Sequence, residues 1–148
     1  MSEDIIRVEH LTKQFKTAFG VLTAVDDVSF QIRQGENFGL VGESGSGKST
    51  IGSMIVGTYG PTSGTITFAG DTDISHDSSR RSSELKQEIQ LVFQDPGGSL
   101  NPRKTIRQIL TLPITLYDKQ KLTQEQIDAR LKDIMEEVGL PQHYLDKY

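Results

Sequence analysis

The chain has 148 residues, 34% of them hydrophobic and 24% charged, the balance of a soluble globular protein rather than a disordered one. It contains no cysteine, which excludes a disulfide framework and a thiolate metal site. A net charge of −4 argues against nucleic acid as a partner, since a general nucleic-acid binder carries a basic face. No apolar run approaches the ~18 residues of a membrane span. Met1-Ser2-Glu3-Asp4 leads into no apolar leader segment, so a cytoplasmic protein is expected.

Ile5, Ile6, Val8 and Leu11 open the chain as a predicted strand. The segment from Lys13 to Gly20 reads as a polar turn region carrying two aromatics, Phe15 and Phe19. Val25, Val28, Phe30 and Ile32 recur mostly at even spacing, the pattern of a half-buried strand over Val21 to Ile32. Arg33-Gln34-Gly35-Glu36 follows as a turn, and Phe38 to Val41 reads as a short buried strand.

That strand runs into Gly42-Glu43-Ser44-Gly45-Ser46-Gly47-Lys48-Ser49-Thr50, which fits G-x-x-x-x-G-K-[ST], the phosphate-binding loop. Gly42, Gly45 and Gly47 have no Cβ, so the backbone can come close to a phosphate and gather its N–H groups into an anion-binding nest. A helix beginning near Lys48, with Ile51, Met54 and Ile55 as its apolar stripe, points its free N–H groups and positive dipole end at the same place. Lys48 adds a mobile positive charge for the β- and γ-phosphates, and the Ser49 hydroxyl is a hard ligand suited to Mg²⁺. A flexible Gly/Ser linker would carry no such flanking strand and striped helix.

Gly57 and Gly60-Pro61 close that helix, and Thr65 to Ala69 forms another short strand ending at Gly70. Asp71 to Ser83 is polar and aperiodic, a predicted surface loop whose Ser- and Arg-rich end, Ser78 to Ser83, reads as solvated surface rather than a modification site. Ile89 to Phe93 is the last predicted strand and ends in Gln94-Asp95-Pro96. Beyond it the chain reads as helix. Thr105 with Gln108 makes a capping box ahead of Ile106, Ile109 and Leu110, with Pro113 expected as the stop. Thr123 with Gln126 makes a second, ahead of Ile127, Leu131, Ile134, Met135 and Val138, and Gly139 and Pro141 end that helix. His10, His76 and His143 are isolated and read as solvated.

The order of these features resembles the nucleotide-binding domain of ABC transporters along the whole chain. Val8 to Phe15 is similar to that family's opening strand and adenine-stacking aromatic, and Ala24 to Phe30 to its second strand. Leu91-Val92-Phe93-Gln94-Asp95-Pro96 resembles its Q-loop. Ser99-Leu100-Asn101-Pro102-Arg103 looks like the branch that takes up dipeptides, oligopeptides and nickel. Val138 to Pro141 and Leu145 to Tyr148 are similar to that branch's helical subdomain. The resemblance implies an α/β fold, an incomplete P-loop NTPase (ABC ATPase): an N-terminal antiparallel β subdomain and partial nucleotide-binding core over residues 1–94, and a partial α-helical subdomain over residues 95–148.

It also implies ATP and Mg²⁺ as ligands, with Lys48 and Gln94 as the catalytic pair and Ser49 and Gln94 on the metal. Phe15 would stack on adenine, with Phe19 as the alternative. The implied partners are transmembrane permease subunits, on the inner face of the cell membrane, and a second ATP-binding subunit, identical or different. The family's Ser-Gly-Gly-Gln signature, its apolar strand ending in Asp-Glu and its switch histidine have no counterpart among these residues. The full-length form is therefore expected to be an ATPase driving peptide uptake, and this chain to carry the nucleotide-binding half. The alternatives are a non-hydrolysing nucleotide-binding module or another P-loop enzyme. A GTPase would show Asn-Lys-x-Asp, which is absent, and Arg103 and Arg107 are too few for a kinase lid.

Overall fold

The computed structural model describes residues 4–95, 97–117 and 121–148. Met1 to Glu3 and Pro96 of the Gln94-Asp95-Pro96 run lie outside them. The chain forms two compact units, Met1–Leu91 and Val92–Tyr148.

In the first unit, β1 (Asp4–Thr17) and β2 (Gly20–Arg33) make a long antiparallel hairpin. The expected turn region from Lys13 to Gly20 is a turn only at Ala18 and Phe19. Lys13 pairs with Val25, Phe15 with Leu22 and Thr17 with Gly20, so the ladder runs almost to the tip. Backbone groups, not side chains, make that ladder, and a strand with one wet face accepts polar residues. Part-way along, the register shifts at His10, which takes φ 51°, opposite Asp27 at φ 47°. The His10 Nδ1 and Asp27 Oδ1 lie 2.8 Å apart across this bulge, so exposed His10 has a partner.

β3 (Ser63–Phe68) lies on the other side of β1, and the two-residue β4 (Thr72–Asp73) completes the order β2-β1-β3-β4, with every pair antiparallel. Helix α1 (Lys48–Val56) buries Ile51 and Met54 in a core with Ile6, Val8, Leu11, Val25, Ile66, Phe68 and Ile74. Each such side chain contributes about 1.5–3 kcal/mol on leaving water.

Two predicted strands do not form. Phe38 to Val41 and Gln90 to Phe93 are irregular, with Val41 97% and Val92 87% exposed. The apolar pattern of a buried parallel strand is present in both. A strand also needs a neighbour to take its N–H and C=O groups, and neither segment has one among the described residues. Among the described residues no parallel strand pair forms. The Phe38 ring instead stacks on Phe30, centroids 5.1 Å apart.

The segment read as a surface loop from Asp71 to Ser83 is partly core. Ile74 is fully buried, and Arg81, expected in solvent, is buried with its guanidinium in a cage of carbonyls. Nη1 donates to Ile55 O at 2.6 Å; Nη2 donates to Met54 O at 3.1 Å, Ile74 O at 2.6 Å and His76 O at 3.2 Å. Met54 and Ile55 supply carbonyls from the last turn of α1, where the helix dipole favours a cation. Gly57 at φ 88° makes room, since a Cβ there would lie 2.6 Å from the Arg81 Cζ. Burial pushes the guanidinium down from its ordinary value, and Asp73 and Asp77 act in the opposite direction. Helix α2 (Ser83–Glu88), capped by Ser82, closes this unit.

In the second unit, α3 (Ile106–Leu116) and α4 (Gln124–Glu137) each begin with the expected Thr–Gln capping box, at Thr105 and Thr123. Pro113 does not stop α3 but lies within it. Ile127, Leu131 and Met135 of α4 form a small core with Leu145, against which Ile106, Leu110, Ile114 and Leu122 pack. Val138, read as the last member of the stripe, is exposed.

Replacing Arg81 with Met takes the Arg81 donor from the Ile55 and Ile74 carbonyls, while Met54 O keeps its bond from Gly57 N; urea unfolding is expected to show a loss of about 3 kcal/mol. Asp73 and Asp77 are both held below the usual carboxylate range, chiefly by the side-chain hydroxyls of Ser75 and Ser79 respectively. A carboxylate depressed in the folded state stabilises it above its unfolded pKa, and that stabilisation is lost as pH falls through the folded value. The urea midpoint is therefore expected to drop on acidification below about pH 4, and Asp73→Asn or Asp77→Asn to flatten that decline.

Candidate functional site

The loop from Gly42 to Gly47 leaves the hairpin side of the first unit and enters α1 through a left-handed residue, Gly47 at φ 90°. Gly45, at φ 82°, is the second left-handed position. Ser46 N donates to Glu43 O at 3.2 Å and Ile51 N to Gly47 O at 2.9 Å, so the loop curls back on itself and passes directly into helical pairing. A Cβ on Gly47 would lie 2.3 Å from the Ala24 carbonyl oxygen and 3.2 Å from Val25 Cγ2. The loop thus rests directly on the backbone of β2.

Helices α2, α3 and α4 each have a Ser or Thr oxygen on their first N–H groups. α1 has no side-chain cap and no acidic residue in its first turn. Its leading N–H groups and dipole are left for an outside acceptor. Ala24 and Gly45 to Thr50 line a shallow cavity of about 130 Å³ at this end. Lys48 reaches back across it, donating from Nζ to Gly42 O at 2.9 Å, Glu43 O at 2.6 Å and Ser46 Oγ at 3.2 Å. Phosphate oxygens are stronger acceptors than carbonyls for an ammonium, so the same group can turn from the loop to an anion. Ser49 and Thr50 begin α1 beside it, with Ser49 exposed.

The ABC transporter family profile matches residues 25–147, which includes the whole loop and both helices of the second unit. The chain belongs to the ABC transporter family. It is 38% identical over all 148 residues to the oligopeptide transport ATP-binding protein OppF of Bacillus subtilis (strain 168), covering 48% of that protein. It is 44% identical over 125 residues to OppF of Lactococcus lactis subsp. lactis (strain IL1403), with 84% of this chain and 38% of the relative covered. This family member thus spans about half the length of the curated relatives it matches. The dimeric ABC transporter cassette MJ0796 has the same fold, with a TM-score of 0.75 and 23% identity over 95% of this chain and 60% of that one.

The structure brings Gly42, Glu43, Ser44, Gly45, Ser46, Gly47, Lys48, Ser49 and Thr50 together as one loop and helix start. Phe15 lies on β1 in the same unit, half-buried, and Phe19 stands fully exposed at the hairpin turn. Gln94 belongs to the second unit, in an exposed bend. One residue lining the cavity, Ala24, was read in the sequence only as part of a strand and not as part of the site.

Gly47→Ala would force the loop off β2, and is expected to abolish the loop's ligand binding and lower the melting temperature. Gly52 lies inside α1 with nothing within 4 Å of an added Cβ. Gly52→Ala is therefore expected to stabilise the chain by about 0.5–1 kcal/mol and leave ligand binding intact, as thermal melts with and without ligand would show.

Proposed function

We propose that this chain binds MgATP at the phosphate loop, as the nucleotide-binding portion of an ATP-binding subunit that powers peptide uptake. The observation that carries the proposal is a self-curled loop, with Lys48 at its centre, that opens into an uncapped helix start. Backbone N–H groups of the loop and of the first turn of α1 receive the β- and γ-phosphates, and Lys48 moves from the loop carbonyls to the phosphate oxygens. Phe15 carries the adenine.

Mg²⁺ fits a site of this kind because it takes one or two protein oxygens and completes its shell with phosphate oxygens and water. The Ser49 hydroxyl at the head of α1 would be the donor that this unit supplies to it. Bound there, the ion would neutralise charge on the β- and γ-phosphates. Lys48 would hold and orient the γ-phosphate.

In the complete subunit, ATP hydrolysis would drive transport. The partners would be a second ATP-binding subunit and permease subunits at the inner face of the membrane, with peptides or similar small solutes as cargo. The names of the OppF relatives support this reading. The further 52% of such a relative is where the remaining hydrolytic groups would lie, so these 148 residues alone are expected to bind nucleotide without turnover.

Lys48→Ala removes a charge-assisted contact worth about 1.5–3 kcal/mol, so calorimetric titration with MgATP is expected to show a loss of roughly tenfold to a hundredfold. Unchanged binding would refute the loop assignment. The role that the Q-loop resemblance gives Gln94 predicts that Gln94→Ala weakens the Mg²⁺ dependence of binding more than the affinity for metal-free ATP.

A further inference from the structure

One aromatic cluster in the first unit, on β1 and the connector after α1, is unused by the phosphate chemistry. The Tyr59 ring stands edge-on to Phe15, with centroids 5.4 Å apart and planes at 87°. Lys13 Nζ lies 5.2 Å from the Phe15 centroid and 4.8 Å from that of Tyr59, and donates to Gly60 O at 2.5 Å. The connector holding Tyr59 is tied to β1 by Thr62 N to Thr12 O at 2.8 Å and by Gln14 N to Thr62 Oγ1 at 2.9 Å. Tyr59 itself packs on the core of the unit.

We propose that Tyr59, together with Lys13, is the positioning residue that sets the Phe15 ring as the platform for a nucleobase. The proposal rests on the phosphate-loop reading above. Phe15 is opposite Leu22 on β2, three residues from Val25, and the loop rests on Ala24 and Val25. Along a strand that is roughly 10 Å, the order of separation between a base and the terminal phosphates of its nucleotide. Tyr59 approaches Phe15 from the β3 side, where Thr62 runs beside Thr12. The loop lies on the β2 side.

Edge-to-face packing and the nearby cation fix the Phe15 rotamer before a base arrives, so stacking costs little further ordering. Phe19 is 102% exposed and has no such support. The supported ring favours Phe15 over Phe19 as that platform.

The test uses the 148-residue chain and two ligands, MgATP and inorganic tripolyphosphate, titrated by calorimetry. Tyr59→Leu is expected to lower ATP affinity about tenfold and leave tripolyphosphate affinity unchanged, since only the base touches the cluster. Tyr59→Phe keeps the ring and is expected to restore the wild-type ATP-to-tripolyphosphate ratio. Phe15→Leu should match Tyr59→Leu, and the double variant should be no worse than either, the signature of coupled residues.

Lys13→Met is expected to lower the same ratio by a smaller factor, and circular dichroism identifies any variant that has unfolded. If Tyr59→Leu does not fold, the Lys13→Met ratio decides: a drop supports the proposal and an unchanged ratio overturns it. An unchanged ratio in folded Tyr59→Leu, or a drop in Phe19→Leu in place of Phe15→Leu, also overturns it. Failure of the wild-type chain to bind tripolyphosphate refutes the phosphate loop itself, and this proposal with it.

Discussion

Between the Ala24 carbonyl of β2 and the residue that opens α1 there is room for a hydrogen atom and nothing larger, and Gly47 supplies it at φ 90°. From this contact follow the direction of α1, the exposure of its first-turn N–H groups and the position of Lys48 over the loop. A left-handed glycine ends the preceding loop and starts a helix without a side-chain cap. The helix start therefore keeps its positive end for a ligand, whereas α3 and α4 cover theirs with threonine.

The other end of α1 is held by a different force. Arg81 inserts a cation among the carbonyls of Met54, Ile55, Ile74 and His76, with its counter-charges, Asp73 and Asp77, nearby rather than in direct contact. Removing a guanidinium from water is costly unless its donors are satisfied, and carbonyls at a helix C-terminus satisfy them while matching the dipole. Gly57 leaves the space for it. The nine-residue helix is thus pinned by a missing Cβ at its head and a buried charge at its tail.

Apolar pattern alone misjudged Phe38 to Val41 and Ile89 to Phe93. Both have the composition of buried strands, yet composition reports which side chains would leave water and not which backbone accepts the ladder bonds. Pro113 failed as a stop for a related reason. It sits late in α3, where the helix continues to Leu116 and Tyr117 N bonds to Pro113 O. The polar segment containing Arg81 also hid its role, because an arginine among serines looks like surface until a helix end is brought to meet it.

By itself the sequence determined the phosphate loop from Gly42 to Ser49, the start of α1 at Lys48, both Thr–Gln capping boxes and the family to which the chain belongs. The first three are local patterns, legible because their chemistry is completed within a few consecutive residues, and the family is read from the order of motifs along the chain. Only the tertiary structure decided where the hairpin turns, which segments lack ladder partners, that Arg81 is buried and that Tyr59 meets Phe15. Those depend on groups far apart in the chain, Arg81 on Met54 across 27 positions and Lys13 on Gly60 across 47. No spacing rule along the sequence encodes a contact made across that distance.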